Sequence, residues 1–568
     1  MSEKPGGHLL IESLVVNGID HVFGVPGESY LAALDGLYEF QDSLRFVTCR
    51  HEGGAANMAD AYGKLTGKPG VCFVTRGPGA THASIGVHTA FQDSTPMILL
   101  IGQVGSDVQD REGFQEIDYR RMFGQMAKWV AQIDRADRIP EYINRAFQTA
   151  TSGRQGPVVL ALPEDMLETR TAAPVLAPYR RNLAWPDPDR LHDMIGLLSQ
   201  AQRPIALVGG SGWTPTSCQQ FQDFAARWEL PVACAFRFQD TFDNWHDNYV
   251  GEVGSSIGPA LRQRLMDADL ILTVGLRLGE GTTRGYVLLK PPRPAQKLIH
   301  VHPGAEELGS VYQADVMIQS SMPAFAQSLA KLPQPSSPLA WAAWTEAARS
   351  DYRLHREPGT YQGEGVDMGR VVTTLQSLVP RDTIYTSGAG NYAGWFIRYL
   401  RYHGYAHGSR TQIAPSSGAM GYGVPAGVAA KLLNPERTVI SIAGDGCFLM
   451  NGQELATAIQ HNAPVIFIVV NNGMYGTIRM HQEIHYPGRI AGTGLQNPNF
   501  ADLARAYGAH GHLVTCTQDF EPALRTALAS NVASLIEIRM DPDVINTSST
   551  LSKIRGQHPA GNMQQPHV

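Results

Sequence analysis

Residues 438–476 read TVISIAGDGCFLMNGQELATAIQHNAPVIFIVVNNGMYG, and the alternation inside this stretch decides the fold. An apolar, β-branched run ends at Gly444-Asp445-Gly446. A helical pattern follows from about Gly452 to His461, and a second apolar run, Val465–Val470, ends at Asn471-Asn472. The crossover of such a βαβ unit is nearly always right-handed. Both polar clusters therefore emerge at the same carboxyl edge of a parallel sheet, where α/β folds bind ligands. Asp445 offers a hard carboxylate oxygen, Asn472 a side-chain carbonyl, and the turn beyond it a backbone carbonyl at Met474. Those three oxygens, two phosphate oxygens and a water would complete an octahedral shell for Mg²⁺. Gly444 and Gly446 let the backbone approach a diphosphate, and the Cys447 amide can point at it. GDG alone is an ordinary turn; the NN pair at the next strand end makes the ligand-binding edge the better reading.

The same rhythm extends outward. Strand-length runs rich in Val, Ile and Leu recur at Met97–Ile101, Pro157–Leu162, Pro204–Val208 and Leu270–Val274, each bounded by Gly, Pro or Asp. This is how buried parallel strands read. Two segments break the pattern: Thr171–Arg190, rich in Pro and Arg, and Leu332–Asp367, with PQPSSP and GTYQGEG. Read as linkers, they divide the chain into α/β units at 1–170, 190–330 and 367–545, with a polar tail at 546–568. The fold class expected is α/β, with three doubly wound parallel-sheet domains. Leu44–Val47 reads as an apolar turn before a helix that opens near Glu52 and ends near Gly63.

The 568 residues exceed the size at which one core stops growing. Charged residues are 17% and the net charge is −6, with no basic run that would bind nucleic acid. The apolar stretch Leu9–Val16 is short and interrupted by Glu12, so it fits an amphipathic helix rather than a signal peptide or a membrane span. Six scattered cysteines, with no CxxC pair, indicate neither zinc nor a disulfide framework and favour a reducing cytoplasm.

The GDG…NN segment resembles the signature of thiamine-diphosphate enzymes. In that family the Asp, the second Asn and the carbonyl two residues on ligate the metal, which implies Asp445, Asn472 and Met474 here, with Tyr475 beside them on the cofactor. Two further segments are similar. Ser387-Gly388-Ala389-Gly390-Asn391-Tyr392 precedes a helix pattern, as anion cradles do, and the family's phosphate contacts fall on Gly390, Asn391 and Tyr392. In Pro415–Pro425, Met420 alone would be core filler; the resemblance makes it the apolar wedge that keeps the cofactor bent, with Gly418 offering a carbonyl to its amino group. Arg50-His51-Glu52-Gly53-Gly54 begins a third matching stretch. A Glu at a helix start is commonly only a dipole partner, but the family's Glu at this position shares a proton with the cofactor pyrimidine, and burial would raise its pKa to suit. The resemblance implies that the cofactor bridges the first and third domains across a subunit interface, in a homodimer or homotetramer.

Along nearly the whole chain the likeness is nearest to the acetolactate synthase large-subunit family, through VFGVPG (Val22–Gly27), RGPGATHASIGVHTAFQDSTPMILLIGQV (Arg76–Val104), GPVVLALPEDM (Gly156–Met166) and NPNFADLARAYGA (Asn497–Ala509). It makes the units a pyrimidine-binding, a middle (FAD-domain-like) and a diphosphate-binding domain, and puts Gly27, Phe114 and Gln115 in the substrate pocket. Without it, Phe114 and Gln115 would read as loop packing and His82 and His88 as structural helix histidines. Three positions depart from the family: its channel Trp is His481, a Lys is Glu164, and its FDDR segment is Leu278-Gly279-Glu280-Gly281, with Arg277 kept. A channel altered in charge should admit a different acceptor. VGGSGW (Val208–Trp213) matches the flavin-binding domain, but a lone Gly-rich turn is weak evidence, so FAD is not favoured. The implied activity is decarboxylation of a 2-oxo acid, pyruvate or similar, with transfer of the carbanion to a second carbonyl. The alternative is a decarboxylase or acyloin lyase on the same scaffold. A nicotinamide oxidoreductase would need a GxGxxG after a first strand, which is missing. A non-catalytic scaffold would have no need of Glu52, Asp445 and Asn472 together.

Overall fold

A computed structural model describes residues 3–557 except 333, 336–338 and 362. It contains three six-stranded sheets, each entirely parallel. Counting strands within each sheet, the first (His21–Gly24 to Pro157–Pro163) and third (Ile384–Ser387 to Ser534–Arg539) share the order 2-1-3-4-6-5, whereas the middle sheet runs 3-2-1-4-5-6. The matching orders put a topological switch point in the same place in both outer sheets, between the first and third strands, where the loops leaving the carboxyl ends diverge and leave a crevice.

The strands are apolar because both faces are covered. In the middle sheet, Ala206, Val208, Leu270 and Leu272 join one buried cluster, while Ile205, Leu207 and Ile271 join another. Successive residues of one strand thus enter opposite cores, as strand alternation requires. Residues up to Asn182, with Val428–Pro435 and Asn451–Ala463, form one compact unit; the rest of the chain forms a second. In the first unit, Lys4–Pro5 pairs antiparallel with Arg170–Thr171 and ties its two ends together.

Four expectations need correction. Leu44–Val47 is no turn: Arg45–Thr48 is an edge strand paired with His21–Gly24. The second linker contains the helix Ala342–His355, docked by buried Trp341, whose indole donates to the Trp228 carbonyl at 2.9 Å. The helix of the GDG…NN unit is interrupted: a turn of helix, Asp445–Leu449, starts at the metal-ligand candidate itself, followed by a 3₁₀ turn, Gly452–Glu454, and the helix Leu455–Gln460. The tail begins as a packed helix, Leu551–Gln557, with Leu551 and Ile554 buried against Ile545; its remainder, 558–568, lies outside the described residues.

That terminal helix is also held electrostatically. The fully buried Glu483 carboxylate takes Arg555 at 2.5 and 3.0 Å and Arg479 at 2.8 Å. Hydrogen bonding to Arg555, reinforced by Arg479 and the Gly488 amide, holds the Glu483 pKa down at about 2. A carboxyl depressed on folding stabilises above its unfolded pKa, and the contribution is lost as pH falls through the folded value. Amide exchange in 551–557 should therefore accelerate between about pH 4.5 and 2, and Arg555→Ala should abolish that dependence.

Candidate functional site

The switch point of the third sheet opens into a cavity of about 250 Å³. The strand Ile384–Ser387 delivers Gly390, Asn391 and Tyr392 to it; the strand Val439–Gly444 delivers Gly444, Asp445, Gly446 and Cys447; the strand Ile466–Asn471 delivers Asn472, Met474 and Tyr475. Gly418 and Met420 complete the wall. The third-domain residues assigned to the metal and cofactor from the sequence thus line one cavity, whereas His481 does not.

Close packing dictates the glycines. A Cβ on Gly446 would lie 2.6 Å from the Tyr475 ring, and one on Gly444 2.9 Å from the Tyr392 ring. Gly418 has φ +68°, a left-handed conformation that disfavours a side chain. Tyr392 is buried, and its hydroxyl accepts the Gly388 N–H at 3.2 Å, so it serves as a prop under the Gly444 turn. Asn391 is fixed from both ends: its amide donates to the Ile545 carbonyl (3.2 Å) and its oxygen accepts Thr477 Oγ1 (2.8 Å).

Asp445 is 3% exposed and makes no ion pair among the described residues. Burial pushes its pKa up, over the opposing pull of the Gly446 and Gly473 amides and of Asn497, which donates at 2.7 Å. Among the described residues, the lining contains no Lys, Arg or His. A carboxylate, an amide oxygen and a turn carbonyl around a cavity without basic side chains form a hard-oxygen donor set of the kind that suits a divalent cation. The residues present fit Mg²⁺ and, through it, a diphosphate.

In the first unit, His51 caps the helix Glu52–Thr66, its Nδ1 accepting the Gly53 N–H at 3.0 Å. The Glu52 carboxylate meets His82 Nδ1 at 2.8 Å through Oε2, and the His51 and His82 rings stack at 4.5 Å. Burial, then the neighbouring His82, lowers the His51 pKa. His82 is therefore more than a spacer on its helix; both it and His88 are exposed. Gly27 needs no unusual φ; it needs space, since a Cβ there would lie 2.5 Å from Thr75. Phe114 is 69% exposed, which excludes packing as its role in this chain. The Phe114 carbonyl accepts from Arg76 (3.3 Å), and that of Gln115, whose φ is +65°, accepts the Gly77 N–H (2.9 Å). Arg76 also pairs with Glu164 at 2.6 Å, so the Lys-to-Glu departure comes with a cation supplied from elsewhere. His481 is exposed on the helix Gly476–His485, stacked at 6.1 Å on His485. Gly210 lies so close to the Gly275 carbonyl that a Cβ would be 1.9 Å away, and Trp213 donates to Gly209 O at 2.8 Å.

Two supporting residues escaped the sequence reading. Asn497 bridges Asp445 and Asn471 Oδ1 (3.0 Å) from a loop far along the chain. Glu454, fully buried in the first unit, accepts the N–H groups of Arg50 (3.1 Å) and His51 (3.0 Å) and the Thr457 hydroxyl (2.5 Å), which fixes the turn that presents Glu52. Only the glycine at position 54 tolerates it, because a Cβ would lie 2.4 Å from the Glu454 carboxylate. Glu454→Ala should cost ~1–3 kcal/mol from unpaired buried donors, read by urea unfolding, with Glu454→Gln markedly milder.

Comparisons with known proteins agree with these features. Family profiles for the thiamine pyrophosphate enzymes match in three parts: the N-terminal TPP-binding domain over residues 4–122, the central domain over 191–329 and the C-terminal TPP-binding domain over 388–538. The chain is 29% identical over 540 residues to the acetolactate synthase isozyme 2 large subunit of Escherichia coli, covering 94% of this chain and 95% of that one. It is 30% identical over 542 residues to the isozyme 3 large subunit of the same organism (93% of each) and 31% identical over 554 residues to the acetolactate synthase large subunit of Parasynechococcus marenigrum (94% and 87%). Likeness of this extent, over a fold of three parallel-sheet domains, means that the chain belongs to the thiamine pyrophosphate enzymes, among the homologues of acetolactate synthase large subunits.

Proposed function

We propose that the protein is a thiamine-diphosphate- and Mg²⁺-dependent carboligase that decarboxylates pyruvate or a related 2-oxo acid and passes the remaining carbon fragment to a second carbonyl compound. The observation that carries this reading is the oxygen set of buried Asp445 and half-buried Asn472 and Met474, in a cavity with no basic side chain among its described lining. Asp445, Asn472 and the Met474 carbonyl hold the metal, which in turn holds the diphosphate. The backbone at Gly390, Gly444, Gly446 and Cys447 lies against the phosphates, with Asn391, Tyr392 and Tyr475 as their flanking wall. Met420 and Gly418 orient the rest of the cofactor. When bound, thiamine diphosphate supplies the carbon nucleophile and electron sink that the reaction needs.

The chain's own residues orient, exclude water and move one proton. His82 holds Glu52 Oε2 at 2.8 Å, leaving Oε1 to hold a proton against the pyrimidine ring. The Gly27 amide, Phe114 and Gln115 face the acceptor. In this reading Glu52 reaches the cofactor of a second copy, in a homodimer or homotetramer, and the exposed Phe114 and Ile85 suit such a covered face. In this reading the middle domain needs no flavin; its glycine turn packs closely, with Gly210 against the Gly275 carbonyl and Trp213 bonded to Gly209. Six free cysteines fit a reducing cytoplasm, and no helix among the described residues is long and apolar enough to cross a membrane. Incubation of the holoenzyme with pyruvate should yield acetolactate. Free acetaldehyde alone would replace the carboligase reading with a decarboxylase, and no consumption of any 2-oxo acid would overturn both.

A further inference from the structure

Away from the cofactor cavity, a cluster of metal-ligating side chains is assembled from two distant parts of the chain. Asp243 follows the 3₁₀ turn Gln239–Thr241. His403 and His407 belong to the segment His403-Gly404-Tyr405-Ala406-His407, between the helix Ala393–Tyr399 and the edge strand Gln412–Ile413. One ring nitrogen from each histidine and an Asp243 carboxylate oxygen all lie within 4.8 Å of one another. His407 Nε2 meets Asp243 Oδ2 at 3.2 Å, and the two imidazoles stack nearly parallel, 3.8 Å apart. None of the three residues lines the cofactor cavity.

The surrounding backbone holds the cluster in place. Gly404 packs so close to Asp243 that a Cβ there would lie 2.6 Å from the Asp243 backbone nitrogen. The Asn244 N–H donates to the Tyr402 carbonyl (3.2 Å), the Tyr402 N–H to Asn244 Oδ1 (3.0 Å), and the Thr411 hydroxyl to the His403 carbonyl (2.8 Å). Asp243 Oδ1 accepts the Trp245 N–H at 3.1 Å, which orients the carboxylate and leaves Oδ2 for the histidines. The neighbouring cations Arg381 and Arg401 lie over the Trp245 ring, at 4.9 and 4.5 Å, and His403 packs edge-on against the same ring. Asp243 and His403 are half-buried and His407 is exposed, so solvent and ions reach the cluster from one side. A histidine–carboxylate hydrogen bond would need only His407; it gives no role to a second imidazole laid against the first.

In a tetrahedral zinc site with bonds of about 2.0–2.1 Å, neighbouring ligand atoms are about 3.3 Å apart. The 3.2 Å between His407 Nε2 and Asp243 Oδ2 already matches such an edge, and the exposed His407 ring has room to turn and draw the set together. Two imidazoles and one carboxylate suit Zn²⁺ rather than Mg²⁺, which prefers oxygen ligands. We propose that Asp243, His403 and His407 bind one exchangeable Zn²⁺, with water as its fourth ligand, and that the ion clamps the loop at 403–408 to the turn at Asp243. The site is independent of the proposed function, since it shares no residue with the cofactor cavity.

The test is a Zn²⁺ titration, in competition with a chromophoric chelator, of holoenzyme freed of transition metals and saturated with Mg²⁺ and thiamine diphosphate. The wild type is expected to take up one equivalent of Zn²⁺ per chain more than His407→Ala or His403→Ala. Loss of a direct ligand should weaken binding at least about 100-fold, above the usual cost of losing an outer-shell partner. Protein loaded with Co²⁺ instead should show the visible bands of a tetrahedral ion, and His407→Ala should lack them. The same zinc stoichiometry and affinity in the wild type and in His407→Ala would overturn the site. The His407 side chain is exposed, so that variant decides the matter even where His403→Ala does not fold. Zn²⁺ should also slow amide exchange across 403–408 in the wild type and leave it unchanged in His407→Ala; zinc binding without that slowing would overturn the clamp. Failure of thiamine diphosphate to bind would instead count against the proposed function, and the same titration would still read the zinc site.

Discussion

Asp445→Ala is expected to lower the affinity for thiamine diphosphate in saturating Mg²⁺ by at least ~100-fold, more than loss of an outer-shell partner of a metal site typically costs. The diphosphate would enter a cavity that has no Lys, Arg or His on its wall, so its charge must be met by backbone dipoles and by a bound cation. Among the described residues, Asp445 is the only carboxylate on that wall. Without it, Mg²⁺ keeps only two neutral oxygens, and both metal and diphosphate affinity fall. The fold should survive, because the strand Val439–Gly444 is paired on both sides and the Asp445 side chain is held only locally, by Asn497 and the Gly446 and Gly473 amides. Quenching of protein fluorescence by the cofactor, titrated at several Mg²⁺ concentrations, reads the effect. Titration curves that match the wild type would remove Asp445 from the metal site. Asn497→Ala should show a weaker form of the same defect, about 10-fold or more, since it only orients the carboxylate.

Glu52→Gln should have the largest effect on turnover, ~10²–10⁴-fold, the range for loss of a positioned acid–base group, with cofactor affinity nearly unchanged. The side chain sits on the first turn of its helix, on a turn fixed by Glu454 and capped by His51. His82 engages one oxygen, and in the proposed function the other meets the pyrimidine. Glutamine preserves the shape but cannot give up or take a proton. Hydrogen–deuterium exchange at C2 of the bound cofactor measures the step directly. Exchange as fast as in the wild type would show that the proton moves by another route.

How much of this was legible in the sequence depends on where the determinants lie along the chain. GDG and NN were readable because each sits at the end of a strand whose Val/Ile run is unmistakable, and the crossover rule puts both at one edge. Asn497 was not: it arrives from a loop with no periodicity, and only the folded distance of 2.7 Å to Asp445 reveals its part. Glu454 was hidden for a similar reason. It lies within the diphosphate-binding stretch, yet its partners, Arg50 and His51, are four hundred residues away in sequence. Arg45–Thr48 failed as a strand because an edge strand of four residues starting with Arg carries little apolar signal. The helix Ala342–His355 was masked by the Pro- and Ser-rich residues before it, although its own Trp341 and Tyr352 mark a buried face. The shared strand order of the outer sheets left no trace in the sequence, since register and order are set by packing between distant segments.

The central claim is that one active site needs Glu52 from one chain and Asp445 from another. Mixing the two inactive variants, Glu52→Gln and Asp445→Ala, and allowing subunits to exchange tests it most directly. Half of the reassociated pairs would be mixed, each with one intact site, so activity should return to about a quarter of the wild-type value. A mixture that stays as inactive as its separate components, with exchange demonstrated by mass spectrometry, would contradict a site shared between chains.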